Sequence, residues 1–493
     1  MSKRRWLWAL PLAGLIATVG VTTAQASDGS AVKAAQTTSM FASSTAFCTP
    51  SAALPNRNAS NPGVTKDAIT ITDMSIDSAG LKRLGVDQPE YSAFFTVFLN
   101  ELNKCGGING RKINAKKAIY NPVAPDLAGH LQALCLKATE DQKAFLVLGV
   151  GPPQGTSLQR CISVNHKTMF NGPVNMAADD FADGKGRLFS FYPAGDKTAS
   201  AVINDMIDQK QLQGRTIGVL GSATSPTAAQ DQKDQYVDYL KAKGQEADSF
   251  EVLPCTGNVC TSGIPQAISR MKSKGVNLII MTANVSVTTV GTVFRELAAQ
   301  NMKAPVYGPH TGALHADSVQ STLIRTTGSD GARYVSNLGW FALNHIEAQG
   351  AWRTGQAKAT PFANMCQQVY AKAAGQAPYV FGEKDINSSR WTGVTTACRQ
   401  VHQIGRAIES LGANVTTERM ATAIKNELDL ERTYDYKGIP DLGTYTWYTA
   451  GRITAPKGVW VKFTYPCPLP SLQATSACFL PVDRPARVRT IKY

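Results

Sequence analysis

The sequence lacks the short motifs of common hydrolases and metal sites. It has no HExxH and no GxSxG, and no two of its cysteines form a CxxC pair. Of its six histidines only His310 and His315 are close together, and a loop pair of this kind fits a structural or solvent role better than a metal site. The pair Asp179–Asp180 indicates a solvated helix start rather than an acid/base couple. We therefore expect no enzyme activity, no metal and no cofactor.

Long apolar runs are also scarce, and the one that stands out lies at the start of the chain. Three basic residues precede the apolar stretch 6–21, and the small residues "AQA" follow at 24–26. This pattern predicts a signal peptide over residues 1–26 with cleavage before Ser27. The stretch is too short to span a bilayer comfortably, and no later segment approaches the roughly twenty residues required. No cysteine follows closely enough for a lipobox, so we expect a secreted, periplasmic or cell-envelope protein without a lipid anchor.

Charged residues are few, at 17%, but their balance is basic, with a formal net charge of +14. Such a charge is compatible with nucleic acid or an anionic surface. The basic residues are scattered, however, and are concentrated only in the tail "RPARVRTIKY". Since no known nucleic-acid module is present either, we expect no nucleic-acid partner.

Cysteine is plentiful, with ten residues. An even number in an exported protein is most simply explained by five disulfides. The spacing predicts two local pairs around turns, Cys255–Cys260 and Cys467–Cys478. It predicts two pairs between consecutive helices, Cys105–Cys135 and Cys366–Cys398. The remaining pair, by elimination, is Cys48–Cys161.

The composition and periodicity of the sequence change at Val64. Residues 27–63 are rich in Ala, Ser, Thr, Asn and Pro without periodicity, which predicts a flexible leader pinned at Cys48. Beyond Val64, short β-branched runs such as "AITITDM" alternate with helical patterns of ten to fifteen residues. This alternation, in two runs at about 68–190 and 192–310, predicts an α/β protein with parallel sheets and two lobes.

One stretch, "LNELNKCGGINGRKI" at 99–113, combines a helix end with two turns. The apolar stripe of the preceding helix stops at Cys105, Gly106 supplies a left-handed cap, and "NG" at 109–110 turns the chain into a new strand. The stretch closely resembles the signature of type I periplasmic binding proteins, the branched-chain amino acid receptors of ABC importers. The likeness continues in order and spacing to the tail, for example in "VNLIIMTANVSVTTVGTVFRELAAQNMKAPVYG".

The resemblance implies two Rossmann-like lobes joined by three hinge crossings, with a small ligand enclosed between them by hinge closure. The crossings would fall near 188–194, 331–339 and 443–465. The first lobe would then comprise residues 64–190 and 332–442, and the second lobe residues 191–331 and 443–493.

Candidate binding residues follow from the sheets, because ligands of open parallel sheets bind at the carboxyl ends of the strands. The loop "GVGPPQGTS" departs from the dinucleotide fingerprint and fits a carboxylate-binding turn better than a nucleotide site. Trp340 is either an apolar wall of the cleft or a buried hinge aromatic. The polar and loop candidates are Ser78, Gly151, Gln154, Thr156, Asn175, Tyr192, Ser225, Asn284 and Ser286.

The sequence departs from the family's amino acid site. The family places an acidic residue in the loop after the strand that matches "LIIMTA", where it meets the ligand's ammonium group, but here this loop is "NVSVTTVG". A buried ammonium without a counter-charge is unfavourable. We therefore expect a neutral or anionic small organic ligand rather than a standard zwitterionic amino acid.

Two functions remain open from the sequence. The first is a secreted solute-binding protein that closes on a small organic molecule and delivers it to an ABC permease or a sensor. The alternative is a cell-envelope interaction module on the same fold, with a non-functional cleft.

Overall fold

The structure is a computed structural model with side chains. It describes residues 39–43, 45–59, 62–83, 89–149, 157–171, 176–190, 193–255, 260–283, 285, 287–309, 317–345, 357–381, 385–426, 431, 433–436, 449, 457–468, 477–483 and 487–492.

Fifteen strands are present in the described residues. In chain order they are β1 (Ala68–Met74), β2 (Lys112–Lys117), β3 (Leu146–Gly149), β4 (Met169–Asn171), β5 (Leu188–Phe189), β6 (Ile217–Ala223), β7 (Ala247–Pro254), β8 (Leu278–Met281), β9 (Val306–Pro309), β10 (Trp340–His345), β11 (Ala357–Ala359), β12 (Tyr434–Tyr436), β13 (Lys457–Thr464), β14 (Cys478–Pro481) and β15 (Arg489–Thr490).

The described helices alternate with these strands over most of the chain. They are α1 (Ser78–Arg83), α2 (Tyr91–Lys104), α3 (Leu127–Leu136), α4 (Ser157–Arg160), α5 (Ala178–Asp183), α6 (Gly195–Asp208), α7 (Pro226–Gln232), α8 (Tyr239–Ala242), α9 (Ile264–Ser273), α10 (Val287–Ala299), α11 (Asp317–Leu338), α12 (Pro361–Ala374), α13 (Asp385–Ser410) and α14 (Thr417–Asn426). Three π-helical turns, Lys137–Asp141, Cys161–Asn165 and Lys233–Asp238, continue α3, α4 and α7.

The strands form two large sheets and one small one. The first sheet is wholly parallel, in the order β2-β1-β3-β4-β5. The second has eight strands, in the order β14-β13-β10-β9-β8-β6-β7 with β15 beside β13. Its β6 to β10 are parallel to one another, and β13 runs antiparallel to β10, β14 and β15. The α/β architecture with two parallel-sheet lobes is therefore confirmed.

Helices cover both faces of each sheet, because central strands such as β1, β3, β6 and β8 bury side chains on both sides. On the first sheet, Ile69 and Ile71 pack with residues of α2 and α13, whereas Met74 packs with residues of α3 and α4. The second sheet is covered by α9 and α10 on one face and by α6 and the turn at Lys233–Asp238 on the other. The stripe that the sequence predicted for α2 is buried as expected.

The signature stretch connects α2 to β2 through backbone and side-chain bonds. Asn103 clamps the new strand, since its amide oxygen accepts from the backbone N–H of Ile113 at 2.6 Å and its amide nitrogen donates to the Ile113 carbonyl at 2.9 Å. Gly107 has φ +83°, and a Cβ there would lie 2.1 Å from the carbonyl oxygen of Arg111. This close approach of two backbone segments requires glycine at position 107.

The N-terminal segment, defined as residues 39–43 and 45–59, is packed onto the first lobe rather than flexible. Met40, Phe41 and Phe47 are buried in its core. The Ser39 hydroxyl and the Met40 N–H donate to the carboxylate of Glu409 at 2.5 and 2.7 Å. The predicted flexible leader over 27–63 is therefore wrong for this part. Apolar residues without periodicity gave no sequence signal, although they suffice to anchor an irregular segment.

Arg111 also binds the N-terminal segment, through Asn58. Its side chain is fully buried, and its guanidinium donates to Asn58 Oδ1 at 2.8 Å and to the carbonyl oxygens of Thr65, Asn58 and Ala413. Burial of the guanidinium lowers the pKa of Arg111, and Arg57 adds to the effect. The signature stretch thus joins three segments that are far apart in sequence.

Ten cysteines form five disulfides, and three of the predicted pairs are correct. These are Cys255–Cys260, Cys366–Cys398 and Cys467–Cys478. The predictions Cys105–Cys135 and Cys48–Cys161 are wrong, because the structure has Cys48–Cys105 and Cys135–Cys161. The packed N-terminal segment brings Cys48 to the end of α2, and α3 and α4 lie side by side on one face of the first sheet.

The second lobe extends further along the chain than the resemblance implied. β10 pairs with β9 and β13, so residues 340–345 belong to the second sheet, whereas residues 332–442 were assigned to the first lobe. The buried residues Trp340, Ala342 and Leu343 explain this placement, since they fill the core of the second sheet. β10, which directly follows the expected crossing at 331–339, is therefore a strand of the second sheet.

Candidate functional site

Most of the predicted site residues follow the parallel strands in segments that lie outside the described residues. Gly151, Gln154, Thr156, Asn175, Tyr192, Asn284 and Ser286 lie outside the described residues, as do His310 and His315. Ser78, Ser225 and Trp340 are described.

The two described serines have roles in local structure. Ser78 begins α1, and its hydroxyl donates to the Pro89 carbonyl at 2.8 Å. Ser225 is exposed and caps α7, where its hydroxyl accepts from the Ala228 N–H at 3.2 Å. Each lies directly after a strand of its sheet, β1 or β6, and both bonds hold the following segment in place.

Trp340 lies in the core of the second sheet. It is only 2% exposed, and its ring contacts Phe294, Phe479 and Phe463 at centroid distances of 4.8, 4.9 and 5.7 Å. Of the two roles that the sequence left open, this burial favours the buried aromatic.

Polar side chains at the carboxyl edge of the second sheet satisfy one another. Gln232 is buried, and its amide oxygen accepts from the Ser222 N–H at 3.1 Å and from the Thr282 hydroxyl at 2.8 Å. Its amide nitrogen donates to the carbonyls of Ser222 and Ala228. The Tyr236 hydroxyl accepts from the Ala283 N–H at 3.1 Å, and burial raises the pKa of this phenol. The described polar side chains Gln232 and Tyr236 are therefore paired within the protein.

On the carboxyl side of the first sheet, some described polar side chains are paired and others are not. Arg160 on α4 donates to Asp180 and Asp183 on α5, at 2.7 and 2.8 Å. Its neighbour Gln159 is fully buried, yet neither atom of its side-chain amide has a hydrogen-bond partner in the part of the chain that the structure describes. On β1, the Oδ2 atom of the buried Asp73 is likewise unpaired there. This edge holds buried polar groups without partners.

The two lobes meet through α5, α6 and α7. The Gly195 N–H, at the start of α6, donates to the Met176 carbonyl at 2.7 Å, and the Asp196 carboxylate accepts from the Ala178 N–H at 2.8 Å. Burial raises the pKa of Asp231 on α7, and the carboxylate of Asp180 on α5 raises it further. The start of the second lobe is thus bonded to the first lobe at the predicted first crossing.

One group of potential metal ligands occurs in the described residues, namely Cys135, Cys161 and His166. The two sulfurs form a disulfide, which leaves the imidazole as the single free ligand of the three. The predicted solvated helix start at Asp179–Asp180 does begin α5, although Asp180 is buried and paired with Arg160.

The solved structures that this chain resembles share one fold. No family model and no curated protein matches the chain in sequence. Among solved structures, a type 1 periplasmic binding protein from Bordetella pertussis Tohama I is 14% identical, covering 84% of this chain and 100% of that one, with a TM-score of 0.57. A branched-chain amino acid ABC transporter protein from Thermus thermophilus with bound valine is 14% identical, covering 85% and 96%, with a TM-score of 0.55.

A third similar structure carries an aromatic ligand. It is an ABC transporter solute-binding protein from R. palustris in complex with 4-hydroxybenzoate, 10% identical, covering 86% of this chain and 98% of that one, with a TM-score of 0.54. This chain has the type I periplasmic binding protein fold. Among the described residues of this type I fold, no helix is long and apolar enough to cross a membrane.

Sequence reasoning missed two residues of the first-lobe edge in this type I fold. Gln159 lies inside "TSLQRCISVN", which the sequence identified only as a helix. Arg160 looked like a surface cation, and its pairing with Asp180 and Asp183 depends on the neighbouring positions of α4 and α5. The one sequence signal for these two residues was their position directly after a loop that was expected at the carboxyl edge of the sheet.

Proposed function

We propose that this protein is an exported solute-binding protein that captures a small organic ligand between its two lobes and delivers it to an ABC permease or a sensor. The observation that carries the proposal is the type I periplasmic binding protein fold, in which two parallel sheets end in polar loops. Ligands of open parallel sheets bind at these carboxyl ends. The proposed mechanism is hinge closure around the ligand without bond chemistry.

The proposed lobes follow the two sheets. The first comprises residues 64–190 together with the later helices α12 to α14, and the second comprises residues 191–345 together with β13 to β15. The boundary near 191 is supported by the bonds between Met176 and Gly195 and between Ala178 and Asp196, which hold the two lobes together around a short connection. A short connection with a few fixed bonds is a suitable hinge.

Export is supported by the predicted signal peptide and by the disulfides. All ten cysteines are paired in the structure. Such pairs persist in oxidising compartments and are rare in reducing ones. The proposed location is therefore the periplasm or the cell envelope.

The proposed ligand is neutral or anionic. The loop after β8 contains no acidic residue between Thr282 and Gly291, so the second lobe offers no counter-charge there for an ammonium group. The structurally similar proteins hold ligands as different as valine and 4-hydroxybenzoate, so the fold alone does not select one.

A thermal-shift screen of a metabolite library tests the proposal. A ligand that binds only the folded state adds about 2.7 kcal/mol at a hundredfold excess over Kd. We expect at least one neutral or anionic compound to raise the melting temperature, and valine to leave it unchanged. A screen without any stabilising compound, combined with specific capture of a cell-envelope protein, would instead support the interaction module.

A further inference from the structure

Gln159 is a buried amide whose hydrogen bonds are missing. Its side chain is 0% exposed, and among the described residues neither Oε1 nor Nε2 has a partner. A buried polar group of this kind is unfavourable unless something pairs with it, and native proteins contain few. An amide with both functions unpaired can therefore bind a partner from outside the protein, provided that its position allows a ligand to reach it.

The position of Gln159 places this amide at the carboxyl edge of the first sheet. It is the third residue of α4, the helix that follows β3. One turn later, the Ser163 carbonyl accepts from Arg187 Nε at 3.0 Å, at the amino end of β5. α4 therefore runs from the carboxyl edge toward the amino edge, and Gln159 in its first turn lies nearer the carboxyl edge than Ser163 does. The adjacent Arg160 binds α5, which follows β4.

The amide of Gln159 also specifies a chemistry. Its oxygen only accepts hydrogen bonds, and its nitrogen only donates them. A ligand with a C=O and an N–H side by side, such as a primary amide, a lactam or a urea, pairs with both at once. A carboxylate has acceptors only and an ammonium group has donors only, so either would leave half of the Gln159 amide unpaired.

Two other buried glutamines serve as comparisons. Gln232, at the edge of the second sheet, has all its amide bonds within the protein. Gln403 on α13 is fully buried and has an unpaired amide within the described chain, like Gln159. However, α13 packs with α2 on the other face of the first sheet and does not follow a strand. Of these three described glutamines, only Gln159 combines an unpaired amide with a position on the carboxyl side of a sheet.

We infer that Gln159 is a specificity residue that recognises a carboxamide-like group, with adjacent C=O and N–H, on the ligand of this protein. The inference rests on the proposed solute-binding function and names the ligand class of the same site. The inference agrees with the absence of an acidic residue in the loop after β8, because a neutral amide needs no counter-charge. It also names a chemical group that the ligand must carry.

Two sets of matched probes test the inference by titration calorimetry. One set is 4-hydroxybenzamide, 4-hydroxybenzoate and 4-hydroxyacetophenone, and the other is isovaleramide, isovalerate and 4-methylpentan-2-one. Within each set the carbon skeleton up to the carbonyl carbon is constant, and only the group attached to that carbon changes between NH2, O− and CH3. We expect the amide of at least one set to bind the wild-type protein roughly tenfold to a hundredfold more tightly than its ketone, as for a buried hydrogen-bond pair.

Three variants make the test specific. Gln159→Met keeps the shape and should abolish the preference for the amide. Gln403→Met removes an unpaired amide elsewhere in the protein and should preserve the preference for the amide ligand. The unliganded proteins provide a second readout, because Gln159→Met deletes an unsatisfied group and should not lower the melting temperature. Gln232→Met breaks four hydrogen bonds and should lower it by several degrees.

The outcomes separate the inference from the proposed function. Equal affinities for amide and ketone, a preference that survives Gln159→Met, or a Gln159→Met protein that is less stable or unfolded would each overturn the role of Gln159. A library ligand without an adjacent donor and acceptor would overturn it too, while supporting solute binding. If neither the probes nor the library bind, the proposed function fails together with the inference.

Discussion

The carboxyl edges of the two sheets each carry a buried glutamine in a helix that follows a strand, but only one of the two is paired. Gln232 in the second lobe makes four hydrogen bonds within the protein, and Gln159 in the first lobe makes none among the described residues. The amide of Gln232 is thus satisfied within the protein, whereas the amide of Gln159 has no partner in the described part of the chain. In our proposal the first lobe therefore selects the ligand, and the second lobe closes over it.

The lobes also differ in how the chain is cross-linked. The disulfides of the first lobe join residues 57, 26 and 32 positions apart, and those of the second lobe join residues 5 and 11 positions apart. Longer loops lose more conformational entropy in the unfolded state when they are closed. The first lobe, which contains the packed N-terminal segment, thus depends more on its cross-links than the second.

The largest expected effect concerns these cross-links. Replacing both cysteines of the first-lobe pair, Cys48→Ala with Cys105→Ala, should lower the free energy of unfolding by about 4 kcal/mol, as estimated from loop entropy. The matched second-lobe variant, Cys255→Ala with Cys260→Ala, should lose about 2 kcal/mol because its loop is short. Urea titrations of both proteins measure the difference, and an equal or larger loss in the second lobe would refute the asymmetry.

A smaller effect is expected from two glycines with left-handed backbone. Gly107→Ala in the first lobe should cost about 3 kcal/mol, because its Cβ would lie 2.1 Å from the Arg111 carbonyl oxygen. Gly275→Ala in the second lobe has φ +70° and no atom within 4 Å of the added Cβ, so it should cost about 1 kcal/mol. Comparable unfolding free energies for the two variants would mean that the signature turn relaxes easily.

A further difference is a pH dependence that we assign to the first lobe. Burial lowers the pKa of His402 to about 3, and Arg406 adds to the shift. The ring lies among Phe41, Phe47 and Phe362, at centroid distances of 4.8 to 5.7 Å. Below pH 6.5 the unfolded state binds a proton at this site that the folded state does not bind until about pH 3. Stability is therefore lost as the pH falls through this window.

The variant His402→Leu removes this proton-linked contribution. We expect its melting temperature to fall less than that of the wild-type protein between pH 7 and pH 4, whereas the difference between the two proteins should stay constant above pH 7.5. Parallel melting curves across the whole range would show that His402 is protonated in the folded state as readily as in the unfolded one.

Much of the fold was predictable because it depends on local patterns. The alternation of short apolar strands and amphipathic helices specified two parallel sheets, and "NKCGGINGRKI" specified the turn between α2 and β2. The correct disulfides were the two local pairs around turns and Cys366–Cys398 between α12 and α13, whereas the same expectation for consecutive helices failed at Cys105–Cys135. Cys48–Cys105 was not predictable, since it depends on the packing of an irregular segment with no periodic signal.

The site was less predictable than the fold. The rule for parallel sheets identifies loops after strands, but it does not state which side chains a loop leaves unpaired. Gln159 and Gln232 are the same residue type in similar positions, and only the surrounding backbone and Thr282 distinguish them. The placement of β10 in the second sheet was likewise decided by pairing with β9 and β13 rather than by a local pattern.

The bonds of the N-terminal segment have a consequence for the order in which this chain matures. Met40 and Asn58 are bonded to Glu409 and Ala413, which lie 369 and 355 positions further on. During synthesis from the amino terminus, the N-terminal segment remains without these partners until Glu409 has emerged, 369 positions after Met40. A nascent chain cut short before Glu409 would leave Phe41 without the ring of His402 fixed against it. The first lobe is thus completed only after strands β6 to β10 of the second lobe have been synthesised.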